Sequence, residues 1–342
     1  MSYEAPTGRA LPGSETYNLA HDTSLIATIN ADTLGLNARA PSASASSPTV
    51  TQFLNAANAE YVLGGVPAGM HAFTFLGVPV TYTDVLDGVS AQVWVTPQNQ
   101  IIIAYQGTTG GENLAVDPAI ALTQIIADIG IWAGGTPPAE PDSLNFANVV
   151  IGLAKLEGYS TSNIFVTGHS LGGIEAEYVA QHTGLAGIGF ESTGLPVDKS
   201  AGSGSNFVNI VTYGDPVGNY SSDLKGEQPF AAPYVAGGGS LPHYGDIVLV
   251  GNASDQTTLS NAVASWGTSL GADASTLVNL VGLLEDFHLP GTQAHDLGVT
   301  LNPYASLVDG GGVQNSTVFN VANDTIAQLI TASSGHGNLL VG

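Results

Sequence analysis

Residues 164–173 read Ile-Phe-Val-Thr-Gly-His-Ser-Leu-Gly-Gly, and no other stretch constrains the fold as tightly. The β-branched and aromatic run from Asn163 to Thr167 predicts a short buried strand. A helix-prone stretch follows from Leu171 to Gln181. Between them lies Gly168-His-Ser-Leu-Gly172, a G-x-S-x-G pentapeptide in a strand–turn–helix setting, the pattern of a nucleophile elbow. Gly168 and Gly172 carry no Cβ, so strand and helix can approach closely. Ser170 is then held in a strained turn with its hydroxyl presented, and the helix N-terminus aims free N–H groups at developing negative charge.

The rest of the chain supplies a setting for that turn. Strands are predicted at Ala91–Thr96 and Gln100–Tyr105, joined by a hairpin-like turn at 97–99, and at Leu185–Phe190, Phe207–Tyr213 and Asp246–Val250. Helices are predicted at Val50–Tyr61, at Ser143–Glu157 with Ser143 as N-cap, at 275–285 and at 317–331. Strands alternating with helices imply an α/β fold with a mainly parallel sheet. Residues 1–50 carry little regular signal. With 342 residues and 44% hydrophobic composition, one large domain over 1–332 is expected, followed by a Gly-rich tail at 333–342.

Composition removes several functions. A net charge of −23 with only five Lys and Arg leaves no basic patch for nucleic acid or an anionic membrane surface. There is no cysteine, which excludes disulfides, thiolate metal sites and a Cys nucleophile. No Sec-type signal and no apolar run long enough to span a bilayer is present, so no integral membrane segment is expected. The many carboxylates leave calcium available as a structural ion.

A serine nucleophile needs a base, a carboxylate to orient the base, and donors for an oxyanion. On this scaffold the chain order is Ser, then Asp or Glu, then His. Asp215 follows the Phe207–Tyr213 strand through Gly214, where such a strand end carries the site. Asp246 is the rival, although it precedes its strand. Among the histidines, His169 is too near Ser170 to be its base. His21 and His71 lie upstream, His182 marks the end of the elbow helix, and His336 lies in the tail. His243, His288 and His295 remain, and a loop His ahead of a late helix favours the last two. The oxyanion donors are expected from Leu171 N–H and from Thr108 N–H in the Gly107-Thr108 stretch. No cofactor is required by this chemistry.

These pieces together resemble the class 3 lipases of the α/β-hydrolase fold, and most of all the catalytic domain of bacterial family I.3 secreted lipases. Ala104-Tyr-Gln-Gly-Thr-Thr-Gly110 resembles that family's F-R-G-T-S-G oxyanion stretch, and Gly168-His-Ser-Leu-Gly-Gly173 matches its nucleophile motif. The strand ending at Asp215 is similar to the one bearing the family's catalytic Asp. Pro242-His-Tyr-Gly-Asp-Ile-Val248 resembles a following non-catalytic segment, and His288-Leu-Pro290 the segment bearing the base. The resemblance implies hydrolysis of lipid esters, helices on both faces of the sheet, a transient lipid–water interface, and secretion by a type I-like route. Phospholipid and polyester are alternative substrates, and a non-catalytic binding domain is the alternative class. The tail is a candidate start of calcium-binding repeats. Two departures stand out. The family's oxyanion Arg is Gln106 here, and of its Asp-x-x-x-Asp calcium ligands only Asp117 is present, with Ala121 four residues on. In other class 3 lipases the base precedes Asp or Ser and Leu, a pattern that fits His295-Asp-Leu, so His288 is preferred and His295 is the alternate. The apolar segment Asp117–Pro141 is a candidate lid, with a core helix as the alternative.

Overall fold

The computed structural model describes residues 46–84, 89–107, 139–192, 206–219, 244–265, 268–304 and 318–334. Ten strands are described: β1 (His71–Ala72), β2 (Thr74–Phe75), β3 (Val78–Pro79), β4 (Thr81–Asp84), β5 (Val89–Val95), β6 (Ile101–Tyr105), β7 (Ile164–His169), β8 (Ala186–Phe190), β9 (Phe207–Thr212) and β10 (Asp246–Val250). β2 and β3 form a separate two-stranded ribbon, and the other eight form one sheet. From β6 to β10 every neighbouring pair is parallel and the strands lie side by side in chain order. β5 pairs antiparallel with β6 across the turn at 97–99, and β1 and β4 both pair antiparallel with β5. The fold is therefore mixed α/β, with a mostly parallel sheet and an antiparallel end.

Helices cover both faces. On one, α1 (Val50–Ala59), α6 (Pro290–Leu297) and α7 (Ile326–Ser334) pack Phe53, Leu54, Ala294, Leu297 and Leu329 on Ile102, Phe165, Ile188, Ile210 and Val248. On the other, α2 (Ala139–Leu156) and α3 (Leu171–Thr183) pack Phe146, Val150, Ala176 and Val179 on Val93, Ile101, Ile103, Ile164 and Val166. Strands buried on both faces carry no apolar–polar alternation; β6, β7 and β9 are buried at every position. Two further helices, α4 (Asp255–Ala262) and α5 (Leu270–Leu283), pack through Leu259, Val263, Leu280 and Leu283.

Several predicted boundaries move. α2 begins at Ala139 rather than Ser143, because Pro141 sits in the first turn, where its missing N–H costs no helical bond. Ser143 is thus no N-cap; it is buried inside the helix, and its carbonyl accepts the Tyr105 hydroxyl at 2.7 Å. The last helix starts at Ile326, not 317. Thr325 N–H donates to Gln328 Oε1 at 2.9 Å in a capping arrangement that ends the extended chain there. This helix runs two residues past the expected domain end at 332. α1 starts at Val50 from the matching Thr49–Gln52 capping box. The lid candidate lies outside the described residues up to 138, and its last three residues belong to α2. The irregular stretch through residue 45 and the tail from 335 also lie outside them.

Candidate active site

The elbow forms as its glycines require. Ser170 stands between β7 and α3 at φ 59°, ψ −126°, a conformation that costs a non-glycine residue roughly 1–3 kcal/mol and persists only where the surroundings hold it. Ser170 N–H donates to Phe190 O at 2.8 Å, and Ser170 O accepts Gly173 N–H at 2.9 Å. A Cβ on Gly172 would collide with the Tyr105 carbonyl, and one on Gly168 with the Gly172 backbone. Leu171 is the first residue of α3, so its N–H has no acceptor within the helix.

Asp215 follows β9 through Gly214, whose φ of +87° turns the chain back. The carboxylate, fully buried, accepts Val217 N–H at 3.1 Å and Gly218 N–H at 2.8 Å. His288 Nδ1 lies 3.1 Å from both of its oxygens. Burial alone pushes the Asp215 carboxyl up. The charge and hydrogen bond of His288, with bonds from Glu191 and Gly218, outweigh it and hold the carboxyl below its ordinary value. In the tautomer with Nδ1–H directed at Asp215, the free lone pair of the imidazole falls on Nε2. That atom is buried and has no hydrogen-bond partner among the described residues.

His288 was expected in a loop. It instead ends a π-helical turn, Leu284–His288, that continues α5, and wide turns of this kind recur at functional sites. Leu289 is extended at φ −71°, ψ 146°, as the residue before a proline must be, and Pro290 opens α6. His288 is carried to the elbow by His169. The Nε2–H of His169 donates to the His288 carbonyl at 2.7 Å, and the two rings lie 4.8 Å apart. Burial, then the charge of His288, lowers His169 to about 3, so it is neutral and its Nδ1 accepts the Tyr61 hydroxyl at 2.9 Å.

Tyr61 also ties in the expected oxyanion stretch. Its hydroxyl oxygen accepts Gly107 N–H, and a Cβ on Gly107 would stand 3.2 Å from Ser170 Cβ. Thr108 lies outside the described residues. Gln106, where the resembling family has Arg, donates to the Glu60 carbonyl.

The rivals fall elsewhere. Asp246 pairs with Val208 at the amino end of β10, the opposite edge from Asp215. His295 lies in the last turn of α6 with Nδ1 3.3 Å from its neighbour Asp296. His182 is in the last turn of α3 and bonds Tyr178 O at 2.8 Å. His243 is outside the described residues, as are Asp117 and Ala121; Ala121 offers no side-chain oxygen to an ion. Among the described residues no three His, Asp or Glu are grouped to hold a metal, and no helix is long and apolar enough to cross a membrane. Tyr61 and Glu191 were not singled out from the sequence. For Glu191 a signal existed, an acid placed directly after an uncharged apolar strand; Tyr61 had none.

No protein-family model matches the chain, and no curated protein matches it. Among solved structures, the extracellular lipase LipA from Serratia marcescens is similar, with 21% sequence identity and a TM-score of 0.36. The match covers 64% of this chain and 38% of that one.

Proposed function

We propose that this chain is a carboxylic ester hydrolase working through an acyl-enzyme on Ser170. Ser170 Oγ attacks the ester carbonyl and His288 Nε2 takes its proton. Asp215 holds the imidazole in the tautomer that can do so, and the N–H groups of Leu171 and Thr108 receive the oxyanion. His288 then protonates the departing alcohol, and a water activated the same way releases the acid. One observation carries the reading. A histidine bonded by Nδ1 to a buried carboxylate, with Nε2 unpartnered, is tethered to the residue preceding a strained serine.

The finer reading is an α/β-hydrolase with a lipid ester as substrate, in the manner of class 3 and family I.3 lipases. It is supported by the order Ser, Asp, His after β7, β9 and β10 and by the motif likeness at 104–110, 168–173 and 288–290. Secretion by a type I-like route and a structural calcium ion belong to that same reading. No step above passes through a metal.

A fluorophosphonate should label Ser170, and Ser170→Ala should abolish p-nitrophenyl ester turnover while circular dichroism stays unchanged. Full turnover in the folded mutant would remove the reading. A chain-length series with and without micelles then separates lipid from small soluble esters: a rate that jumps on micelles for long chains identifies an interfacial enzyme.

A further inference from the structure

The triad chemistry leaves one fully buried acid beside it without a task. Glu191 directly follows β8 at φ 49° and is fully buried. Its backbone N–H stays on the ladder with Ile210 O at 3.0 Å. Its carboxyl accepts Thr212 N–H at 2.9 and 3.2 Å, and Gln293 Nε2 donates to Oε1 at 2.6 Å. The same carboxyl faces that of Asp215, and each bears on the other's ionisation. A Cβ built on Gly218 would run into Glu191 Oε2 and stand 3.0 Å from Asp215 Oδ2, so both groups line one wall.

Two carboxyls that line one buried wall side by side cannot both be charged without a cation between them. Lys155 is the one Lys or Arg among the described residues, and it is exposed on α2. With no other Lys or Arg among the described residues to offset a second charge, the pair shares one proton, and the donors decide where it resides. Asp215 has His288 Nδ1–H and two backbone N–H groups, whereas Glu191 has neutral donors only. Burial, then the charge of Asp215, raises the Glu191 carboxyl well above its ordinary value.

We propose that Glu191 is a positioning residue of the triad: as the protonated acid it donates to the Asp215 carboxylate and fixes that group against His288 Nδ1. The proposal rests on the ester-hydrolase reading above. Among the described residues, few other groups face Glu191. From the turn after β9 it meets Asp215, and from α6 the non-titrating Gln293. Asp296, one turn on, faces Gly251 and the Thr212 methyl instead, and His288 reaches Glu191 only through Asp215. At alkaline pH the donor is lost and two anions oppose each other, which turns Asp215 off the imidazole.

Glu191→Gln keeps the carbonyl oxygen for Thr212 and Gln293 and gives Asp215 an N–H that cannot ionise. It should hold kcat within about threefold of wild type at pH 7 and move the alkaline limb of kcat upward. Glu191→Leu should lower kcat about a hundredfold with KM little changed, the scale on which misplacing a general base acts. A Glu191→Gln profile with the wild-type alkaline limb would overturn the proposal, as would a folded Leu variant with wild-type kcat. Should the Leu variant not fold, the Gln profile alone decides. Ser170→Ala run in parallel separates the two claims. Turnover surviving in it sinks the hydrolase reading, while a dead Ser170→Ala beside indifferent Glu191 variants sinks only this inference.

Discussion

His288 and His295 lie in the same stretch of chain, yet their surroundings assign them different work. His288 is buried, bonded to both oxygens of Asp215, and held by its own carbonyl to the ring of His169. His295 is part-exposed in a helical turn beside Asp296. His288→Ala is expected to be nearly inactive and His295→Ala to keep most of its turnover. Asp215→Asn, which accepts the wrong imidazole tautomer, should lose up to about 10⁴-fold, on the precedent of serine proteases. Asp246→Asn, at the far edge of the sheet, should lose little. Steady-state ester kinetics on the four variants check both pairs, and a dead His295→Ala beside an active His288→Ala would move the base. These candidates could be named from the sequence because chain order and strand ends restrict where a base and an acid can sit. Tyr61 and Glu191 could not, because their importance comes from contacts across the fold: Tyr61 reaches His169 over 108 positions, and Glu191 reaches Gln293 over 102.

The elements that matter most are the two turns that deliver the proposed catalytic groups. The strand–elbow–helix unit was legible almost to the residue, since an apolar strand, two glycines and a helix leave one way to fold. The π turn at Leu284–His288 was not, because a single wide turn leaves no periodic trace in a sequence that otherwise reads as helix then loop. Pro290 does account for the extended Leu289 before it. Boundaries failed where a local rule was read one turn too strictly. Pro141 is tolerated in a first turn, and the Thr325–Gln328 capping pair places the last helix start after the predicted 317. The elbow permits a direct test of close approach. Gly172→Ala would place a Cβ against the Tyr105 carbonyl, a backbone atom of the adjacent strand that cannot swing aside. It should destabilise the fold by about 3 kcal/mol, at the upper end of overpacking costs, and displace Ser170 so that activity falls further than stability does. Urea denaturation together with fluorophosphonate labelling rates would check both. An unchanged midpoint and labelling rate would mean that β6 and α3 stand further apart than described.

Across the whole molecule, a chain with 28 acids and five Lys and Arg buries several carboxyls, and burial pushes four glutamates toward the protonated form. Glu60 on the α1 side is raised by burial to about 8 and Glu140 in α2 by burial to about 7, against an ordinary value of 4.5. Glu175 and Glu191 are also raised well above it, by burial first. In each case the folded state holds a proton that the unfolded chain gives up above about pH 4.5. The stability these groups contribute is whole below that pH and is lost as pH rises through the folded-state values, with a slope of about 1.4 kcal/mol per pH unit for each group while it lies between its two values. His169 works in the opposite sense. Lowered to about 3 from 6.5, it costs stability as pH falls below 6.5, and Asp215, held below 3.8, adds to that loss under more acid conditions. Between 4.5 and 6.5 four carboxyls act against one imidazole, so the acid side prevails. Unscreened repulsion among surface carboxylates also grows with pH and pushes the same way. The melting temperature should therefore peak near pH 5 and decline steadily to pH 8 and beyond, and Glu60→Gln should flatten the part of that decline that lies between about pH 5 and 8. Scanning calorimetry across pH 4–9 measures it. A melting temperature that rises from pH 5 to 8 would mean that these carboxyls are ionised in the folded protein, with cationic partners contributed by residues outside those described.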